Sequence, residues 1–177
     1  MSISKRPGNR RQPVRLHAQW GTTLMEVLVS MLVLSFGLLG MAGVQSVSLR
    51  NNQSAYYRTQ ATMLSSDIIE RMRANKIGVG NDAYDDVAGG ATAACFTTAG
   101  CTPNQMAAQD IATWDAAVAA ALPTGSGVVC IDSTGNDGTA AAPACDGVGN
   151  IYAVKIFWDD NRDGNANQSL TTIWRPL

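Results

Sequence analysis

The sequence predicts an α+β protein in which a long N-terminal helix, membrane-embedded in its first half, packs on a small antiparallel β-sheet. Three observations lead to this prediction. An apolar run lies near the N-terminus, an amphipathic helical pattern continues it without a break, and short β-branched segments fill the last third of the chain. A short extra helix and disulfide-stapled loops complete the predicted globular head, residues 77–177.

Residues 1–21 are basic, polar and interrupted by proline and glycine, which predicts a disordered cytoplasmic leader. This stretch holds five basic residues and no acidic one: Lys5, Arg6, Arg10, Arg11 and Arg15. The remainder therefore carries 8 of the 13 basic and all 14 acidic residues, a net charge of −6. Because nucleic-acid binding needs clustered Lys and Arg, we expect no nucleic-acid partner.

Residues 22–48 have the composition of a transmembrane helix. Between Arg15 and Arg50 the only formal charge is Glu26, and residues 27–44 are apolar apart from two serines and three glycines. A bilayer core requires about 20 such residues in a helix. The basic side stays in the cytoplasm, which places the rest of the chain outside. A cleaved secretory signal is the alternative, although its apolar core is usually shorter, about 7 to 15 residues.

Residues 49–76 continue the helical pattern as an amphipathic half. No proline lies between Gly21 and Lys76, and the C-terminal turns are basic, as the helix dipole favours. Gly78 is expected to supply a left-handed stop. The predicted apolar stripe, at spacings of seven and four, consists of Leu49, Tyr56, Met63, Leu64, Ile68 and Met72.

The head begins with a Gly/Ala/Asp/Thr-rich segment, residues 77–101, which predicts a surface loop. Thr102-Pro103-Asn104-Gln105 has the form of a capping box with proline at the first helical position. The helix that it starts should end at Pro123. Its apolar positions follow at helical spacing: Ala107, Ile111, Trp114, Val118 and Ala121.

Strands are predicted over residues 127–132, 151–158 and 170–174. In the second of them Tyr152, Val154, Ile156 and Trp158 alternate and should share one face. The outer half of the long helix is the expected cover for this face.

Cysteine and histidine restrict the chemistry of the head. The single histidine, His17, lies in the leader, so no His base or His zinc ligand is available to the head. We expect no cofactor. The four cysteines all follow the apolar segment, and an even number in a translocated domain predicts two disulfides. Pairing Cys95 with Cys101 and Cys130 with Cys145 closes the shortest loops, and two other connectivities remain open.

Asp159, Asn161 and Asp163, followed by Gly164, match the opening of a calcium loop. The twelfth position is Leu170 instead of the bidentate Glu, so this is a weak candidate metal site and a plain turn is favoured.

Two interpretations are also open for three tryptophans, Trp114, Trp158 and Trp174. They could form an adhesive aromatic patch or the core of a small head, and the core is favoured.

The junction of leader and apolar helix carries the functional signal. A carboxylate within a membrane helix is costly, up to about 3 kcal/mol at its centre on insertion scales. Cleavage after Gly21 would create an ammonium at Thr22, four residues before Glu26. Between staggered neighbouring helices, these opposite charges could pair and fix the offset of adjacent subunits.

This junction, Gly21-Thr22-Thr23-Leu24-Met25-Glu26 after a basic leader, resembles the prepilin signature of type IV pilins. The resemblance implies that Gly21 ends the leader, Thr22 is the cleaved and methylated N-terminus, and Glu26 sets the assembly register. Thr22 departs from the family, which usually has Phe there. Residues 33–45 and 66–75 resemble the helical signatures of the PilV family, minor pilins also called type IV pilus modification proteins.

The resemblance implies a non-enzymatic minor pilin that helps to initiate pilus assembly and supports pilus-dependent motility and adhesion. Its expected partners are a prepilin peptidase/methyltransferase, other minor pilins, the major pilin and the inner membrane. The head would be periplasmic before the subunit enters the surface pilus. A type II secretion pseudopilin, which shares the N-terminal chemistry, is the alternative. A membrane-anchored extracytoplasmic enzyme using paired Asp residues is less favoured, because the sequence has no nucleophile motif and its acids are scattered.

Overall fold

A computed structural model describes residues 23–86 and 89–176. The chain divides into two compact units, Met1–Ser46 and Val47–Leu177. The described part of the first unit is almost entirely helix. The elements in chain order are α1 (Leu24–Ala74), α2 (Lys76–Gly80), a 3-10 turn (Ala93–Phe96), α3 (Pro103–Ala121), β1 (Ser126–Ile131), β2 (Tyr152–Trp158) and β3 (Gln168–Trp174).

The second unit contains a three-stranded antiparallel sheet in the order β1-β2-β3. Val154 in the central strand lies opposite Val129 of β1 and Thr172 of β3. All three predicted strands are present, with bounds that differ from the prediction by one residue for β1 and β2, while β3 begins two residues earlier, at Gln168. The predicted fold class is therefore confirmed: a long N-terminal helix, a small antiparallel sheet, a short extra helix and two disulfides.

The second part of α1, helix α3 and the sheet share one hydrophobic core. The predicted face of β2 is buried throughout, from Tyr152 to Trp158. Trp114 of α3 is fully buried in this core, and its indole Nε1 donates to the backbone oxygen of Leu64 in α1 at 2.8 Å. This hydrogen bond satisfies the one polar group of the ring, so the indole can be buried at little cost.

Helix α3 begins and ends where local sequence chemistry requires. Thr102 Oγ1 accepts from the backbone N–H of Gln105, and Gln105 Oε1 accepts from the backbone N–H of Thr102, which completes the predicted capping box. Pro103 occupies the first helical position, where its missing N–H costs nothing. The helix ends at Ala121, with extended backbone at Leu122 before Pro123.

The buried stripe of α1 differs in phase from the predicted one. Ile68 and Met72 are fully buried as expected, but Leu49, Tyr56 and Met63 are 57% to 69% exposed. The prediction was wrong at these three positions because apolar residues occupy two faces of the helix. The seven-residue spacing on which the prediction was based follows the exposed face. The residues of α1 that are buried are Tyr57, Ala61, Ser65, Ile68, Ile69 and Met72.

The predicted stop at Gly78 is also wrong. Helix α1 ends at Ala74, and Gly78 lies inside α2, outside the left-handed region. Asn75 caps α2, since its Oδ1 accepts from the backbone N–H of Gly78 at 3.1 Å. Its Nδ2 also donates to the backbone oxygen of Pro103. A Cβ at Gly78 would lie 2.4 Å from that Nδ2, so a larger residue here would displace the Asn75 side chain from these hydrogen bonds.

The segment predicted as a surface loop, residues 77–101, is more ordered than its composition suggested. It contains most of α2, the 3-10 turn and a fully buried tyrosine, Tyr84. Tyr84 donates its hydroxyl hydrogen to Asp110 Oδ2 at 2.7 Å, and burial together with this bond raises the pKa of the phenol. Because Asp110 lies in α3, this contact ties the segment to that helix.

Alanine substitution of two methionines in α1 tests which face of this helix is buried. We expect Met72→Ala to destabilise the protein by about 2–5 kcal/mol, because it empties a fully buried site. Met63→Ala is the matched control, since the same change at a side chain that is 60% exposed should cost no more than about 0.5 kcal/mol. Urea unfolding of the full chain in detergent measures both, and equal effects would contradict this burial pattern.

Candidate assembly interface

The first part of α1 presents an apolar surface that no residue described by the structure covers. Every large apolar side chain from Leu24 to Val44 is at least 45% exposed. The most apolar 18-residue window of the helix has a mean hydropathy of 2.3 and no buried residue, so it is long and apolar enough to cross a membrane. A surface of this size is unfavourable in water, so lipid or other apolar helices must cover it.

Glu26 lies in the first turn of α1, within this apolar surface. Its backbone N–H donates to the oxygen of Thr23 at 2.9 Å, and its backbone oxygen accepts from Ser30 Oγ at 2.7 Å. The exposed carboxylate forms no ion pair with any residue that the structure describes. Its position at the helix N-terminus is favourable for an anion, but that contribution is at most about 1 kcal/mol at an exposed site.

Gly21 and Thr22 lie outside the described residues. Cleavage after Gly21, methylation of Thr22 and its pairing with Glu26 therefore stay predictions.

Two disulfides stabilise loops of the second unit. Cys95 is bonded to Cys101, and Cys130 to Cys145, which is the sequential pairing that loop length favours. Cys130 belongs to β1, so the second bond ties the long β1–β2 connection to the sheet. Each bond lowers the entropy of the unfolded chain in a region with few apolar side chains of its own.

Sequence reasoning missed a buried ion cluster centred on Lys155 of β2. This side chain is fully buried, and its Nζ lies 2.5 Å from Asp132 Oδ2 and 2.9 Å from Asp137 Oδ1. Nζ also donates to the backbone oxygen of Pro143 at 2.7 Å, so the β1–β2 connection covers this face of the sheet. The available signal was the lysine itself, alone among apolar residues in the middle of a strand.

The cluster holds both partners in their charged forms. Burial opposes the charge of Asp132, but hydrogen bonds from Lys155 and Thr134 outweigh it and lower the pKa of the carboxyl to about 2. Burial likewise opposes the charge of Lys155, and its bonds to Asp132 and Asp137 raise the pKa of the amine. The cluster therefore fixes the β1–β2 connection on the sheet, since a partner lost from a buried pair leaves an uncompensated charge.

The Asp159–Gly164 segment forms a turn whose carboxylates are already engaged. Asp159 is buried, and its two oxygens accept from the backbone N–H groups of Arg162 and Gly164, both at 2.7 Å. Asp163 Oδ1 accepts from the N–H of Asn165, while Oδ2 accepts from Asn161 Nδ2. Residues 23–86 and 89–176 hold no group of three or more His, Cys, Asp or Glu side chains arranged for a metal. This geometry favours the turn over the calcium site.

Two of the three tryptophans considered for an adhesive patch belong to the core. Trp114 and Trp158 are 0% and 1% exposed. Trp174 is partly buried against the core, with its ring centroid 6.1 Å from that of Tyr152. The tryptophans therefore stabilise the second unit, as the sequence favoured.

Lys155→Met tests the ion cluster, because it leaves Asp132 buried without its partner. We expect a loss of about 3–5 kcal/mol in the free energy of unfolding. Lys76→Met, at an exposed lysine, is the control and should change stability by no more than about 0.5 kcal/mol. Urea unfolding of the full chain in detergent provides the measurement.

The charges of Asp132 and Lys155 also predict how the difference in unfolding free energy between the parent and Lys155→Met changes with pH. A lowered carboxyl pKa contributes stability above the ordinary value of 3.8, and this contribution is lost as the pH falls toward about 2. A raised lysine pKa contributes stability below its ordinary value of 10.5, and this is lost as the pH rises through the raised value. The stability difference between the parent and Lys155→Met should therefore be constant near neutrality and shrink toward pH 2. A difference independent of acidification would contradict the charged pair.

A search of protein families matches residues 43–112 to a model described as Tt1218-like, type IV pilin Tt1218. Searches among curated proteins and solved structures found no significant match. The matched region runs from α1 into α3 and includes residues 66–75. The match covers 70 of the 177 residues, and together with the architecture, which agrees with the type IV pilin fold, it supports similarity to type IV pilins. The apolar helix fits a membrane-anchored pilus subunit.

Proposed function

We propose that this chain is a minor pilin, which helps to initiate type IV pilus assembly with other minor pilins and the major pilin and thereby supports motility and adhesion. One observation carries the proposal. The first part of α1 exposes an apolar surface with a single carboxylate, Glu26, in its first turn. The pilin family match and the PilV-like segments at residues 33–45 and 66–75 support the same function.

The proposed assembly step transfers the apolar surface of α1 from lipid to neighbouring helices. Both environments are apolar, so this transfer by itself gives little hydrophobic driving force. The Glu26 carboxylate distinguishes them, because lipid offers no cation whereas a neighbouring subunit would offer the ammonium of its Thr22. Pairing of these groups would select one axial offset between subunits, since any other offset leaves a charge unpaired in an apolar bundle.

Processing is part of this proposal. A prepilin peptidase/methyltransferase would cleave after Gly21 and methylate the new amine of Thr22. Before cleavage, residue 22 has an uncharged amide in place of the ammonium, so the proposed partner of Glu26 does not exist. Removal of the leader would therefore be required before the subunit can assemble.

The proposed location is the inner membrane, with the leader in the cytoplasm and the second unit in the periplasm, followed by the surface pilus. The five basic residues of the leader support this orientation. The two disulfides, Cys95–Cys101 and Cys130–Cys145, are of the kind found in oxidising compartments. The proposal includes no catalytic role and no cofactor.

Glu26→Gln tests the role of the carboxylate, because it keeps the shape and removes the charge. We expect the ratio of filament-bound to membrane-bound subunit to fall by at least about tenfold, equivalent to about 1.4 kcal/mol of assembly energy. Glu70→Gln is the matched control on the same helix. Glu70 is exposed and paired with Arg73 at 2.6 Å, and such surface pairs contribute little.

Immunoblots of sheared surface filaments and of membranes give this ratio. Incorporation of Glu26→Gln at the parent level would contradict the proposed charge pairing. A chain that stays in the membrane but is required for protein secretion would indicate the pseudopilin alternative.

A further inference from the structure

A cavity of about 540 Å³ opens on the second unit between the C-terminal turns of α1, helix α2 and the end of β3. Its apolar lining includes the partly exposed Trp174 and Pro176, and its basic lining comprises Arg73, Lys76 and Arg175. A volume of about 300–1,000 Å³ with apolar walls and a few charged groups is typical of ligand-binding clefts.

Two of these cations have no partner among residues 23–86 and 89–176, in an otherwise acidic unit. From Val47 onward the sequence holds eight basic and thirteen acidic residues. Five of the eight basic side chains bind other side chains: Arg58, Arg71, Arg73, Lys155 and Arg162. In the part of the chain that the structure describes, Arg50, Lys76 and Arg175 form neither an ion pair nor a side-chain hydrogen bond. Two of these three cations, Lys76 and Arg175, line this cavity.

This charge distribution indicates an anionic occupant. Three cations of this unit, Arg71, Arg73 and Lys155, pair with carboxylates, and Arg58 and Arg162 bind neutral side chains. Lys76 and Arg175 are instead exposed beside an apolar lining. An occupant with carboxylates and an apolar side chain would pair both cations and cover the exposed part of Trp174. Such complementarity favours correct partners and repels basic ones.

We propose that this cavity docks an acidic segment of a neighbouring pilin subunit, with an apolar or aromatic side chain of that segment in contact with Trp174 and Pro176. This inference rests on the proposed function, because the neighbour is the adjacent subunit of the filament. This docking contact is separate from the pairing at Glu26 and would determine which pilin packs beside this one.

Site-specific cross-linking tests the docking in assembled filaments of the full chain. Gly80 lines the cavity, its backbone is not left-handed, and a Cβ there meets nothing within 4 Å, so it accepts a photoreactive benzoylphenylalanine. We expect a cross-link to a pilin peptide that contains Asp or Glu. Lys76→Glu combined with Arg175→Glu should reduce the cross-link yield per filament-bound subunit by at least about tenfold.

Arg50→Glu is the matched control, because Arg50 is the third unpartnered cation and lies outside the cavity. It should leave the yield within about twofold of the parent. An unchanged yield in the double variant, a cross-linked peptide without acidic residues, or no cross-link in filaments that contain the chain would overturn the docking proposal and leave the proposed function intact. Absence of the parent chain from filaments would overturn both.

Discussion

The structure depends on one constraint: the apolar surface at the start of α1 is not covered by any residue that the structure describes. Residues from Leu24 to Val44 bury none of their large side chains, and the single charge among them is Glu26. Lipid can cover the hydrocarbon but cannot neutralise the carboxylate. A bundle of like helices with processed N-termini can do both, which is why the proposed function assigns these residues a part in membrane anchoring and in assembly.

The second unit is stabilised without this apolar surface. Helix α1 changes character along its length, and from Tyr57 to Met72 it buries one face against α3 and the sheet. The loops of this unit are Gly- and Ala-rich and bury little, so covalent and ionic contacts hold them. A disulfide and the Lys155 ammonium attach the β1–β2 connection to the sheet at two points. A rigid unit of this kind can present a cavity, with Lys76 and Arg175 on its lining, in a fixed geometry.

Short-range signals predicted most of the fold. The apolar run, the capping box at Thr102 and the alternation in β2 depend on neighbouring residues, so the sequence shows them directly. The face of α1 that is buried cannot be predicted from neighbouring residues. Tyr56 and Tyr57 are equally apolar, and only contacts in the packed core determine that Tyr57 is buried. Lys155 was missed for a similar reason. Its burial depends on where the β1–β2 connection lies, and no local pattern encodes that placement. Within the candidate site, Glu26 could be identified as an isolated charge, whereas its proposed partner at Thr22 is still an expectation.

The N-terminus of the chain in surface filaments tests the central claim most directly. Mass spectrometry of sheared filaments, after digestion with a protease that does not cleave between Gly21 and Thr22, would identify the first residue and any methyl group on its amine. The account predicts a peptide that begins at Thr22. Filaments in which this chain still begins at Met1 would contradict it, because Glu26 would then have no terminal ammonium to bind.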